Sequence, residues 1–150
     1  MTRQSENKDS RVKHGNDTGV LEETLNNLFA QIDAAYSEGY NIIILSDRGV
    51  DKTHAAIPAI LAVSAVEQYL IRTKKRTAVS IILETAEVRD VHQAAMCLGY
   101  GARAINPYLA HEAIAELIDQ KLLDKDYHTA IDDYPGAVDH RPRRDAQHVG

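Results

Sequence analysis

Three short apolar runs along the chain alternate with longer stretches in which apolar residues return every three or four positions. From Val20 to Glu38, Leu21, Leu25, Leu28, Ile32 and Ala35 share one helical face. Thr18 suits the N-cap of that helix and Gly39 its stop. Asn41–Ser46 is a nearly unbroken run of β-branched residues, which predicts a strand buried on both faces and therefore parallel to its neighbours. Pro58 opens a helix running to about Ile71, and Thr73–Arg76 forms a basic turn. Thr77–Leu83 is the second strand. A third helix is predicted from Thr85 or Ala86, with Val88, Val91, Ala95 and Leu98 inward and Gly99 as its stop. Ala102–Ile105 is the third strand. Pro107 then starts a helix whose stripe is Ile114, Leu117 and Ile118, and a short last helix covers Tyr127–Tyr134.

This order predicts an α/β fold with a short parallel sheet flanked by helices and joined by right-handed crossovers. Three strands are few for a finished sheet, so a partial, barrel-like β/α arrangement is expected. Residues 1–17 are polar and read as a disordered lead-in, and residues 18–134 hold the α/β domain. From Pro135 to Gly150 the apolar period disappears and Arg, Pro and His accumulate. That stretch reads as an unrelated, disordered tail, such as a frame-shifted ending would give.

Composition narrows the class. Apolar residues at 44% and charged residues at 26% match a soluble globular domain. A net charge of -5 gives no support for a nucleic-acid partner. The single cysteine, Cys97, excludes an internal disulfide and a cysteine-built zinc or iron–sulfur site, and it suits a reducing cytoplasm. No apolar run approaches the roughly 20 residues that span a membrane, and the N-terminus has no secretory h-region. A cytoplasmic chain without a membrane partner is expected.

The candidate chemistry lies where strands end. Ser46, Asp47 and Arg48 follow the first strand, a position suited to holding a phosphate or a carboxylate. The structural reading is favoured there: Asp47 caps the loop and Arg48 pairs with a neighbouring acid. Gly99-Tyr-Gly101 lies between a helix and a strand, the reverse of a phosphate-cradling loop. Asn106 precedes Pro107 and Tyr108 at a helix start, and capping is its favoured role. Glu84 at the end of the second strand is the most suggestive acid. Glu87 and Asp90 suit a first helical turn, beside Arg89. His92 reads as a partly buried, hydrogen-bonded histidine, and Cys97 as a packed, unreactive thiol. No catalytic triad or metal constellation is readable.

Several linked segments are familiar together: Leu45–Gly49, Ile57–Ala62, Leu70–Arg72, Arg76–Thr77, Arg89–His92, Leu98–Ala102 and Ile105–Ala110. In this order and spacing they resemble the central domain of the large subunit of glutamate synthase, over roughly residues 20–134. The resemblance implies a parent that converts glutamine and 2-oxoglutarate to glutamate. An amidotransferase domain there precedes the central domain, and a barrel with FMN and an iron–sulfur cluster follows it, with NADPH or ferredoxin as donor. It implies that the central domain holds no FMN, joins the two catalytic domains and helps shape the internal ammonia path. The chain departs from the family where Val66–Leu70 replaces a histidine-rich stretch, and where the likeness stops at Pro135. No catalytic, cofactor-binding or metal-binding residue is expected in the chain itself. Ser46, Asp47, Arg48, Glu84, Arg89, His92, Asn106 and Tyr108 are expected as ligand or interdomain contacts. Two other readings stay open: a small amino-acid or keto-acid binding module, and an interaction subunit that self-associates or pairs with separately encoded synthase domains.

Overall fold

The apolar runs become inner strands of a parallel sheet. The structure, a computed structural model, describes residues 5–9, 11–13, 18–52 and 54–138. The elements follow as β1 (Ser5–Asp9), β2 (Arg11–Lys13), α1 (Thr18–Ser37), β3 (Ile42–Ser46), β4 (His54–Ala56), α2 (Ala59–Arg72), β5 (Ser80–Glu84), α3 (Val91–Gly99), β6 (Ala102–Asn106), α4 (Tyr108–Asp119) and α5 (Tyr127–Val138). They form an α/β arrangement, as expected, with a four-stranded sheet of order β1-β3-β5-β6 and a two-stranded β2-β4 ribbon.

The chain falls into two units, residues 1–110 and 111–150. In the first, every pairing of the larger sheet is parallel, and the strands lie side by side in chain order. Successive right-handed crossovers that step one way leave their helices on one face. The core agrees: Leu28 and Ile32 of α1, Val63, Val66 and Leu70 of α2, and Cys97 of α3 pack with Ile43, Leu45, Ile81 and Leu83 of the sheet. Alternation puts Ile42, Ile44 and Ile82 on the opposite, half-exposed face. A singly wound sheet with helices on one side is the geometry of a barrel segment. The second unit holds most of α4 and all of α5. Its Asp126 receives the Thr129 N–H at 3.1 Å at the start of α5.

The α1–α2 contact is tied by polar groups at its rim. The Tyr69 hydroxyl donates to Asp33 Oδ2 at 2.7 Å and Lys75 Nζ donates to Oδ1 at 2.6 Å. Phe29 stacks on Tyr69 with ring centroids 4.3 Å apart. Burial pushes the Asp33 carboxyl up, but the hydrogen bonds from Lys75 and Tyr69 outweigh it and leave it below its ordinary value.

Four expectations need correction. Residues 5–9 and 11–13 are strands rather than a disordered lead-in. Polar sequence can take these places because parallel pairing to β3 uses backbone groups, and a charged strand is suited to a sheet edge. α5 runs through Pro135 to Val138, so the helix does not stop where the tail was expected. Proline keeps a helical φ and only forgoes one hydrogen bond, at a cost; the tail proposed for 139–150 lies outside the described residues. α3 begins at Val91, not at Thr85 or Ala86. Its expected inward residues Val91 and Leu98 are 41% and 47% exposed, and Ala95 is exposed as well; Cys97 is buried instead.

Candidate functional site

Parallel pairing sets Ser46 opposite Glu84, and Glu84 opposite Asn106. These three residues end β3, β5 and β6 and share one sheet face, so their side chains form a row across the carboxyl ends of the strands. Glu84 is the centre. Its Oε2 accepts the Ser46 hydroxyl at 2.6 Å. Its Oε1 accepts Arg48 Nε at 2.9 Å and Asn106 Nδ2 at 3.3 Å. The Arg48 guanidinium lies over the Tyr108 ring, 3.8 Å from its centroid. Ser46 Oγ also accepts the Arg48 N–H at 3.2 Å.

The hydrogen bond from Ser46 is the main cause that holds the Glu84 carboxyl below its ordinary range; burial opposes it, and Arg48 and Asn106 add to the lowering. Glu84 is therefore an ionised acceptor at neutral pH. It lacks the proton of a general acid, and its hydrogen-bond donors compete with any proton it would take as a base.

Asp47 turns the other way. Its carboxylate is buried and accepts the Thr85 hydroxyl at 2.6 Å and the Ala86 N–H at 3.0 Å. The Glu87 N–H then donates to Thr85 Oγ1 at 3.1 Å. This explains the late start of α3: groups that would open a helix at residue 85 are taken by Asp47. Asp90 is the actual N-cap and accepts the Gln93 N–H at 2.8 Å.

Of the expected contact residues, Ser46, Arg48, Glu84, Asn106 and Tyr108 come together, and Asp47 anchors the adjoining loop. Arg89 and His92 do not join them. The Arg89 N–H donates to Gln93 Oε1 at 2.7 Å. His92 is exposed, not partly buried, and borders a cleft of about 190 Å³ with Ile60, Glu87, Val88, Met96 and Cys97. Burial pushes the Cys97 thiol up, with the Glu87 charge adding to it, so the thiol is not a prepared nucleophile.

Two residues acquire roles that single-sequence reasoning missed. Glu87 Oε2 accepts the Ala59 N–H at 2.9 Å and so caps α2, whose N-cap Pro58 offers no side-chain acceptor. Glu67 pairs with Arg76 and fills the space beside Gly101. Both are long-range contacts, 28 residues apart for the first, and no local pattern announces them. Among the described residues no group of three or more His, Cys, Asp and Glu side chains could hold a metal ion.

The glutamate synthase central domain model matches residues 2–140. The chain belongs to that family. It is 46% identical over 118 residues to the glutamate synthase (NADPH) large chain of Bacillus subtilis (strain 168), covering 79% of this chain and 8% of that protein. It is 38% identical over 111 residues to the glutamate synthase (NADH) of Schizosaccharomyces pombe, covering 73% of this chain and 5% of that protein. With the chloroplastic ferredoxin-dependent glutamate synthase of Spinacia oleracea it shares 46% identity over 96 residues, 63% of this chain and 6% of that protein. The chain thus spans less than a tenth of the length of these curated relatives. Their names specify three electron donors, yet all share this segment. The match to residue 140 also runs past Pro135, where the resemblance was expected to end.

Proposed function

We propose that this chain is a structural, non-catalytic segment of glutamate synthase that links the domain hydrolysing glutamine to the domain forming glutamate, and that it helps wall the ammonia path between them. The observation that carries this reading is the state of the strand-end row. In α/β proteins that position is where ligands are usually bound. Here Glu84 is satisfied by Ser46, Arg48 and Asn106, and Arg48 is also engaged by Tyr108. The row ties three strands and the start of α4 together. It does not present groups held ready for a reaction.

The residues do not fit the cofactors of the parent enzyme. An iron–sulfur cluster takes several cysteine ligands, and Cys97 is single and buried. A flavin phosphate at the strand ends would meet the Glu84 carboxylate, with Arg48 already paired to it. FMN, the cluster and the NADPH or ferredoxin site belong to other parts of a synthase on this reading. The half-exposed Ile42, Ile44 and Ile82 support a role in an ammonia path, since neutral ammonia needs a lining with few acids to protonate it. The single thiol suits a cytoplasmic setting.

The test starts with the purified chain supplied with glutamine, 2-oxoglutarate and reduced donor. No glutaminase activity and no glutamate formation are expected; either activity would overturn the reading. Calorimetry against glutamine, glutamate and 2-oxoglutarate tests the binding-module alternative, and heat of binding would favour it.

A further inference from the structure

We infer that the outer half of the α3 apolar stripe and the outer edge of β6 form one docking surface, whose occupant is a strand–helix unit of the glutamate synthase polypeptide outside this chain. The inference rests on reading the chain as a segment of glutamate synthase. Around the axis of α3, Cys97, Ala94, Leu98, Val91 and Ala95 occupy one continuous apolar arc at 100° per residue. The chain's own core uses only one side of it. Cys97 is buried and Ala94 packs against the core, while Leu98 is 47% and Val91 41% exposed. An apolar arc wider than its own core needs is the mark of a second packing partner.

The neighbouring strand is unfinished in the same way. Among the described residues β6 pairs with β5 alone, and Arg103 and Ala104 at its centre are exposed. The opposite edge, β1, has the sequence Ser-Glu-Asn-Lys-Asp, which discourages further pairing. β6, Ala-Arg-Ala-Ile-Asn, carries a single charge. Every pair in the sheet is parallel and each step is in the same direction. One more strand added to β6 by the same rule places its crossover helix beside α3, against Val91, Ala95 and Leu98. The edge and the stripe therefore ask for one occupant: an extended strand followed or preceded by an amphipathic helix. A second copy fits less well, because a twofold axis would pair β6 with itself antiparallel in an otherwise parallel sheet. The relatives supply a covalent source, since more than nine-tenths of their length lies outside the matched segment.

Thiol labelling tests this. Leu98→Cys is made in the purified chain, and in a Bacillus subtilis large chain whose 118 matched residues are replaced by those of this chain. Leu122→Cys, 70% exposed and outside the surface, serves as the reference. The thiol at position 98 is expected to react with a maleimide at the reference rate in the purified chain, and at least about tenfold more slowly in the large chain, the protection that a 1.4 kcal/mol opening cost would give. Equal labelling in both proteins overturns the proposal. So does protection in the purified chain that grows with its concentration, which assigns the face to a second copy. Ammonium-dependent glutamate formation by the large chain shows that it has folded. Normal glutamine-dependent activity with an unprotected thiol would remove the docking surface and leave the proposed function standing.

Discussion

The strand-end row and the α3 face have exchanged the properties usual in an α/β protein. The carboxyl ends of parallel strands are normally open and polar; here they are polar and closed, with Glu84 drawing in partners from β3, the loop after it and β6. The outer surface of a crossover helix is normally charged; here α3 presents Val91, Met96 and Leu98. The difference teaches that polar residues at a strand end are not by themselves a site. What matters is whether their hydrogen-bonding capacity is already used.

The comparison can be broken at several points. The largest effect is expected at the joint between the two regions. Gly101 has φ +125°, and a Cβ there would meet the Glu67 side chain at 2.7 Å. Glu67 cannot easily move, because it is held by Arg76. Gly101→Ala should cost about 3–4 kcal/mol in urea unfolding, from backbone strain and overpacking together. A loss under about 1 kcal/mol would mean that the joint adapts freely.

Asp47→Ala comes next. It strands the buried Thr85 hydroxyl and the Ala86 N–H, and should cost about 2–3 kcal/mol. Glu84→Gln keeps the shape but removes the charge shared with Arg48, and should cost about 1–2 kcal/mol. Its pH dependence is the sharper readout. The folded Glu84 carboxyl lies below its ordinary value of 4.5, so its contribution is complete above that value and is lost as pH falls through the folded value. The stability gap between the native chain and Glu84→Gln should therefore close below about pH 4.5 and stay constant from pH 6 to 8. A gap that persists into acid would mean that the charge on Glu84 contributes nothing. Leu98→Ala should change the stability of the purified chain by no more than about 0.5 kcal/mol, as for any exposed position. A loss of 2 kcal/mol or more would place Leu98 in the chain's own core.

Much of this was legible in the sequence, and the failures share a cause. Asn41–Ser46 announced β3 because a fully apolar β-branched run has few other uses. Gly39 announced the end of α1 and adopts φ +93°. The row of Ser46, Glu84 and Asn106 was legible only as separate strand ends, because register is set by tertiary pairing. The α3 face was misassigned because its apolar arc is wide, and periodicity cannot say which half of a wide arc faces the core. β1 was missed because its residues carry no strand signal; its backbone pairing with β3 makes it a strand.

The central claim is that the Glu84 row holds the domain together and does not perform chemistry. The most direct test is Glu84→Gln in the Bacillus subtilis large chain carrying this segment, with glutamine consumed and glutamate formed measured side by side. The account predicts that glutamate formation from added ammonium persists, while glutamine is hydrolysed in excess of the glutamate made. Abolition of ammonium-dependent synthesis in a protein that remains folded would contradict it, because Glu84 would then be part of the reaction itself.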